Sequence, residues 1–256
     1  MLSSRKALSM SAHAATAALL ATATPADAQD TASSAKPAPV VVIVRIAKPW
    51  YAPKPLVVKS MRDTIPTYAR LPGLAFKAYS LEQGSGDYGG LYYWRDRSIA
   101  QAWFSTAWYD RVRKERGTKP NVRFFEAPLS LDNSPGGTPA NNESASVGTL
   151  VEIPIPAGVS REQILAEFAA AAPTYQKVPG LMRKHFTIGD AGTFGGVYLW
   201  KDDASAHAWF NYAWHERVRK TYGAQARLEW FDTPILLPGQ RPDNVVAASV
   251  LITAAP

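Results

Sequence analysis

The sequence predicts an α+β protein made of two tandem ferredoxin-like βαββαβ units, and three observations carry that reading. The chain repeats itself: residues 66–128 align with 173–234 at an offset of 107, falling to 106 just before Gly89 and Gly195, with about 25 identities in roughly 62 positions. Each copy shows the same succession of β-branched runs and amphipathic stretches. A Ser/Asn/Gly/Pro-rich segment, residues 130–148, separates the copies as a linker. Solenoid repeats span about 20–45 residues, so a period this long marks a duplicated domain.

Residues 40–46 (VVVIVRI) and 149–155 (TLVEIPI) are apolar and β-branched and predict the opening strands. In the second copy Ser160 and Gln163 are spaced as a capping box, which starts a helix over 161–172. In the first, the prolines of KPWYAPKPLVVKSMRDT must stand before or within the first helical turn. Both helices are expected to end near Pro66 and Pro173. Pro-Gly-Leu at 72–74 and 179–181 then opens a strand (LAFKAYS, LMRKHFT), and GGLYYW or GGVYLW returns after a turn as its hairpin partner. Asp96 and Asp202 stand where N-caps belong, and one helix is expected from each to about Arg116 or Tyr222, stopped by Gly117 or Gly223. The closing strands, NVRFFEAPL and ARLEWFDTPI, are expected to end at Pro128 and Pro234. This order builds a four-stranded antiparallel sheet with two helices on one face, and the bare face needs a cover that the other copy can supply.

The domain plan is therefore an export signal over 1–28, a flexible lead-in over 29–39, repeats over 40–129 and 149–237 around the linker, and a tail over 238–256. The signal is read from Arg5 and Lys6, an Ala/Leu-rich stretch and Ala26-Asp27-Ala28; cleavage is expected after Ala28, giving a periplasmic or secreted protein. The apolar stretch falls short of the ~20 residues of a spanning helix, and no later segment is long and uncharged enough, so no transmembrane segment is expected. With 46% hydrophobic residues the chain is not of the disordered class. Its net charge of +7 is modest for 256 residues, so no nucleic-acid partner is expected. The absence of cysteine excludes disulfides, thiolate nucleophiles and Cys-ligated metals. His207 and His215 are eight residues apart, about 12 Å along a helix, too far to share a metal ion, so no metal is expected. Gly-Gly at 89 and 195 begins a strand instead of forming a phosphate loop before a helix, and no Gly-x-Ser-x-Gly elbow occurs.

The run Pro-Gly-Leu-x-x-Lys, then Gly-Gly-x-Tyr-x-Trp-x-Asp, then Ala-x-Ala-Trp-Phe-x-x-Ala-Trp at 100–108 and 206–214 resembles the YdhR-like monooxygenase family of the dimeric α+β barrel superfamily. The resemblance covers both copies. In that family two chains pair sheet to sheet, so here it implies an intrachain pseudo-dimeric α+β barrel. It also implies a monooxygenase that uses no cofactor and acts on a small aromatic molecule such as a phenol or quinol. The alternative is a non-catalytic exported barrel that binds a small apolar or aromatic ligand or a protein partner.

The candidate residues follow from the repeat. Lys77 and Lys184 lie mid-strand with apolar residues at i±2, so each either holds an anionic substrate oxygen or packs its stem against rings with its ammonium at the edge. Tyr92, Trp94, Tyr198 and Trp200 share a strand face beside Gly90 or Gly196, as pocket wall or as core. On a continuous helix, about 100° per residue sets Arg111 on the stripe of Ala100, Phe104 and Ala107, and Arg217 among Phe210, Ala213 and Trp214. Each arginine is then placed to fix a carboxylate or phenolate, or to cap helix carbonyls. His185 faces away from Lys184 and is a candidate base. The second copy carries Met182, Arg183 and His185 where the first has Ala75, Phe76 and Ala78, so it is the better candidate for a working half. The expected catalytic residues are Lys184, His185 and Arg217; the expected ligand-binding ones are Lys77, Tyr92, Trp94, Arg111, Tyr198, Trp200 and Trp214.

Overall fold

A computed structural model of the chain describes residues 38–134 and 146–238. The expected export signal, all of the lead-in but 38–39, and all of the tail but Pro238 lie outside them. The first copy runs β1 (Val40–Ile46), α1 (Lys54–Asp63), α2 (Ile65–Ala69), β2 (Leu74–Glu82), β3 (Tyr88–Trp94), α3 (Arg97–Trp103), α4 (Thr106–Arg116) and β4 (Asn121–Asp132). The second runs β5 (Ser146–Pro154), α5 (Arg161–Gln176), β6 (Leu181–Gly189), β7 (Thr193–Trp200), α6 (Asp203–Trp209), α7 (Tyr212–Tyr222) and β8 (Arg227–Pro238). All eight strands close into one antiparallel barrel in the order β1-β3-β2-β8-β5-β7-β6-β4. No described helix is long and apolar enough to cross a membrane.

The local signals act where the sequence places them. Ser160 and Gln163 exchange both capping-box hydrogen bonds. Asp96 accepts from the Ser98 amide at 2.7 Å, and Asp202 from Ser205 at 2.8 Å. Gly117 and Gly223 close α4 and α7 at φ 69°, a left-handed conformation that costs glycine least. Pro53 and Pro55 occupy the N-cap and first turn of α1, where no amide donor is needed.

Four expectations are corrected. In the second copy the first helix passes Pro173, which sits in the last turns of α5; in the first copy α1 ends at Asp63, near Pro66 as expected, but Pro66 itself sits in the first turn of a further short helix, α2. The single helix expected after Asp96 or Asp202 is two, broken at Phe104 (ψ 49°) and Phe210 (ψ 48°) and restarted by the N-caps Ser105 and Asn211. The closing strands continue past Pro128 and Pro234, because each proline falls within a register shift, where a missing N–H costs no ladder bond. The linker is shorter than 130–148, since β4 reaches Asp132 and β5 begins at Ser146.

Those strand extensions close the barrel. β4 pairs with β1 through 121–126 and then with β6 through 125–132. β8 likewise pairs with β5 and then with β2. Alternation along the strands divides the core into one cluster inside the barrel and three outside it. Val41, Ile43, Leu91, Leu150, Val197 and Phe231 fill the barrel, while the opposite strand faces pack outward against the helices, the ends of β4 and β8 against α5 and α1 of the other copy.

Candidate functional site

Strand β6 presents its two faces to two different environments. Arg183, His185 and Thr187 point into the barrel; Lys184 and Phe186 point outward under α5 and α7. Lys184 pairs in register with Tyr198 of β7. Beside them Gly196 leaves the space the lysine stem occupies: a Cβ there would lie 3.2 Å from Lys184 Cε and 3.0 Å from the His185 carbonyl oxygen. Gly90 does the same for Lys77. Gly89 serves the backbone instead, since a Cβ would come within 2.0 Å of the Val44 carbonyl oxygen.

The Lys184 ammonium position is caged by rings. Its Nζ lies 3.0 Å from the centroid of Tyr175, 3.8 Å from Phe186 and 4.6 Å from Tyr198. The residue is 2% exposed, and among the described residues no carboxylate pairs with it. Cation–π contact returns about 0.5–2 kcal/mol, whereas stripping water from an unpaired ammonium costs several kcal/mol. Desolvation wins, and it holds the Lys184 amine well below the ordinary lysine range. Burial raises Tyr198 well above the usual phenol range and Tyr175 less so, with the two rings 5.9 Å apart.

These groups line a cavity of about 180 Å³ between β6, β7, α5 and α7. Lys184, Tyr198, Trp214 and Arg217 all border it, so the structure brings these four expected residues together. Phe168, Phe186 and Phe194 complete an aromatic wall. Arg217 is exposed rather than core-facing, because the break at Phe210 resets the helical phase and leaves Ala213 outside as well. It borders the cavity from the solvent side of α7, close enough to lower Tyr175 electrostatically. Glu167 also borders the cavity and accepts a hydrogen bond from Tyr222 at 3.4 Å.

His185 is not part of this cavity. It lies inside the barrel, with Nδ1 hydrogen-bonded to Ser130 Oγ at 2.7 Å and its ring stacked on Tyr93 at 4.2 Å. Burial and the nearby Arg183 keep it well below the usual histidine range. Its Nε2 has no hydrogen-bond partner, and it borders a void of about 10 Å³, roughly the space of one water molecule. The expected trio of Lys184, His185 and Arg217 is therefore split by the sheet itself, since adjacent strand residues face opposite sides.

Trp200 and Trp94 are core rather than wall, both 0% exposed. The Trp200 indole N–H donates to Thr149 Oγ1 at 3.1 Å, and Trp94 packs edge-on against Phe104. The first copy repeats the cage: Lys77 Nζ lies 3.2 Å over Tyr68, 3.7 Å over Tyr79 and 4.6 Å over Tyr92. There Tyr79 replaces Phe186, and its hydroxyl is bonded to Thr64 at 2.9 Å. Arg111, like Arg217, is exposed. Sequence reasoning missed Tyr175 and Tyr68 as cage members, although the repeated Pro-Thr-Tyr block contains both. Among the described residues no group of three or more His, Asp or Glu side chains is placed to hold a metal ion.

No protein-family model matches the chain, and no curated protein does. Solved structures share its fold at low identity. An anthrone oxidase-like protein superposes with a TM-score of 0.53 at 12% identity, over 78% of this chain and 92% of that one. Two proteins described as "putative monooxygenase" do likewise at 12% identity and 78% of this chain. One, from Lactobacillus acidophilus NCFM, gives a TM-score of 0.54 over 96% of its length; the other, from Fusobacterium nucleatum subsp. nucleatum, gives 0.53 over 93%. What is shared is the fold alone, an antiparallel α+β barrel.

Proposed function

We propose that this chain is a cofactor-independent oxygenase of a single-ring phenol or quinol, working in the cavity of the second copy. The observation that carries this reading is a buried, unpaired lysine amine at an aromatic-walled cavity bordered by a permanent cation, Arg217. A cavity of about 150 Å³ takes up benzene, so 180 Å³ suits one ring with short substituents. The neutral amine of Lys184 accepts the proton of the substrate hydroxyl and becomes the ammonium that pairs with the oxyanion. This assigns to Lys184 the role of base first expected of His185. The electron-rich anion then reduces dioxygen: a quinol plus O2 yields a hydroxyquinone plus water, and the substrate supplies all four electrons. The aromatic wall keeps water from competing. The anthrone oxidase-like and monooxygenase-named structures that share the fold support this reaction class by analogy.

Two further parts belong to the same proposal. The chain is an intrachain pseudo-dimer of YdhR-like units, supported by the internal repeat and by the succession both copies share: strand, helical segment, two strands, a broken helix, strand. Fusing the units makes barrel closure independent of protein concentration. It is exported on the signal at 1–28, where neither flavin nor nicotinamide need be supplied.

Oxygen uptake by the purified protein across a panel of single-ring phenols and quinols tests the reading. Lys184→Met is expected to lose about 10²–10⁴-fold in rate, while His185→Phe retains uptake. Equal rates in wild type and Lys184→Met would remove the assignment. Saturable binding of the panel without uptake would replace the oxygenase by the ligand-binding barrel.

A further inference from the structure

We propose that Lys184 is also a nucleophile: the second-copy cavity captures single-ring aromatic aldehydes and ketones that bear an anionic group, as an imine on Lys184 Nζ. The inference uses the same cavity as the oxygenase reading but not dioxygen, and it stands or falls separately.

Three geometric facts carry it. The first is that a primary amine borders a cavity with its nitrogen tied up in no ion pair, which leaves the lone pair for attack. The second is positional: the rings of Tyr175, Phe186 and Tyr198 and the space left by Gly196 hold the stem in one place. An amine fixed this way loses little freedom when the new bond forms. The third is the division of the cavity walls, where Phe168, Phe194 and Trp214 offer faces to an aryl ring and Arg217 offers a charge to a carboxylate. A purely space-filling role would be met by methionine at similar volume without burying an amine. Burial without a carboxylate partner also keeps the amine in its unprotonated, reactive form.

The chemistry balances without an oxidant or reductant. The Nζ lone pair forms the C–N bond as the carbonyl π pair moves to oxygen, giving a carbinolamine. Both amine protons then depart with that oxygen as water, and the C=N bond forms. The Tyr198 and Tyr175 hydroxyls, raised by burial on rings that flank the amine, remain protonated donors for the departing oxygen.

Anaerobic trapping tests the proposal. The full chain is incubated under nitrogen at pH 7 with 4-carboxybenzaldehyde or benzaldehyde, reduced with cyanoborohydride, and mapped by peptide mass spectrometry. The expected result is one dominant adduct on Lys184, formed at least about tenfold faster than on the exposed Lys114 and Lys220. Arg217→Ala is expected to slow labelling by 4-carboxybenzaldehyde while leaving benzaldehyde labelling nearly unchanged. Labelling of Lys184 no faster than of the exposed lysines would overturn the nucleophile, and equal slowing of both aldehydes would overturn the anionic-group specificity. Trapping without oxygen uptake would keep this site and remove the oxygenase; uptake without trapping would do the reverse.

Discussion

Lys184 illustrates how much a two-residue period can say. The alternation of β6 already set Lys184 on an apolar face and His185 on the other, and both placements hold in the structure. What closes over Lys184 comes from Tyr175 at the end of α5, a contact no local pattern encodes. The burial has a thermodynamic consequence with a definite sign. The unfolded chain binds a proton at this lysine up to its ordinary value of 10.5, whereas the folded chain gives it up at lower pH. Stability from this residue therefore rises with pH through that window. Lys184→Met should accordingly be more stable than wild type at pH 7 by about 1–3 kcal/mol, with the gap closing toward pH 10. Urea unfolding at the two pH values decides it; a gap that does not depend on pH would mean that the amine is protonated in the fold.

At the scale of elements, the misreading of the arginines traces to one assumption, that the run from Asp96 to Arg116 turns as a single helix. Phe104 and Phe210 leave the helical region, and a fresh N-cap follows each: Ser105 Oγ accepts from Trp108 N at 3.4 Å, and Asn211 Oδ1 from Trp214 N at 3.0 Å. A Ser or Asn followed three residues later by Trp was visible, but without Gly or Pro nothing local announced a break. The break matters because it buries Trp108 and Trp214 while Arg111 and Arg217 stay at the surface. Asn211→Ala should cost about 1 kcal/mol, with Ser105→Ala at or below that given its longer bond. Guanidinium denaturation midpoints at constant slope would show it, and no loss in either variant would mean that packing of the tryptophans alone fixes the break. The prolines teach the complementary lesson. Pro128 and Pro234 read as strand ends, yet each lies at a bulge that redirects its strand onto the other copy.

At the scale of the molecule, one end of the barrel interior ties the two halves of the chain together through opposite charges. Glu229, 6% exposed, accepts from Arg45 at 3.0 Å and Arg123 at 2.7 Å and forms an ion pair with Arg227 at 3.0 Å; Glu152 accepts from Arg123 at 2.8 Å. Arg45 and Glu152 hold matching places in register with Gly89 and Gly195, and the repeat aligns Arg123 with Glu229. Two first copies face to face would oppose arginine to arginine at this end, and two second copies glutamate to glutamate. Opposite charges thus favour the pairing of unlike copies. Glu152→Arg combined with Glu229→Arg should cost at least about 3–5 kcal/mol by leaving charges opposed and half-buried. Adding Arg45→Glu and Arg123→Glu should recover most of that loss, as read from urea midpoints of all three proteins. A fourfold variant no more stable than the double one would show that position, not complementarity, sets the network.

The sequence by itself determined the succession of strands with helical segments between them, the caps that start the helices and the strand face each lysine occupies, because these depend on spacing within about ten residues. Only the tertiary structure decided which aromatic rings enclose Lys184, that His185 belongs to the barrel interior, that Arg217 stands on the solvent side of its helix, and where β4 and β8 change partners. Those outcomes depend on contacts between residues far apart in the chain, set by packing and by strand register, neither of which leaves a periodic signature in the sequence.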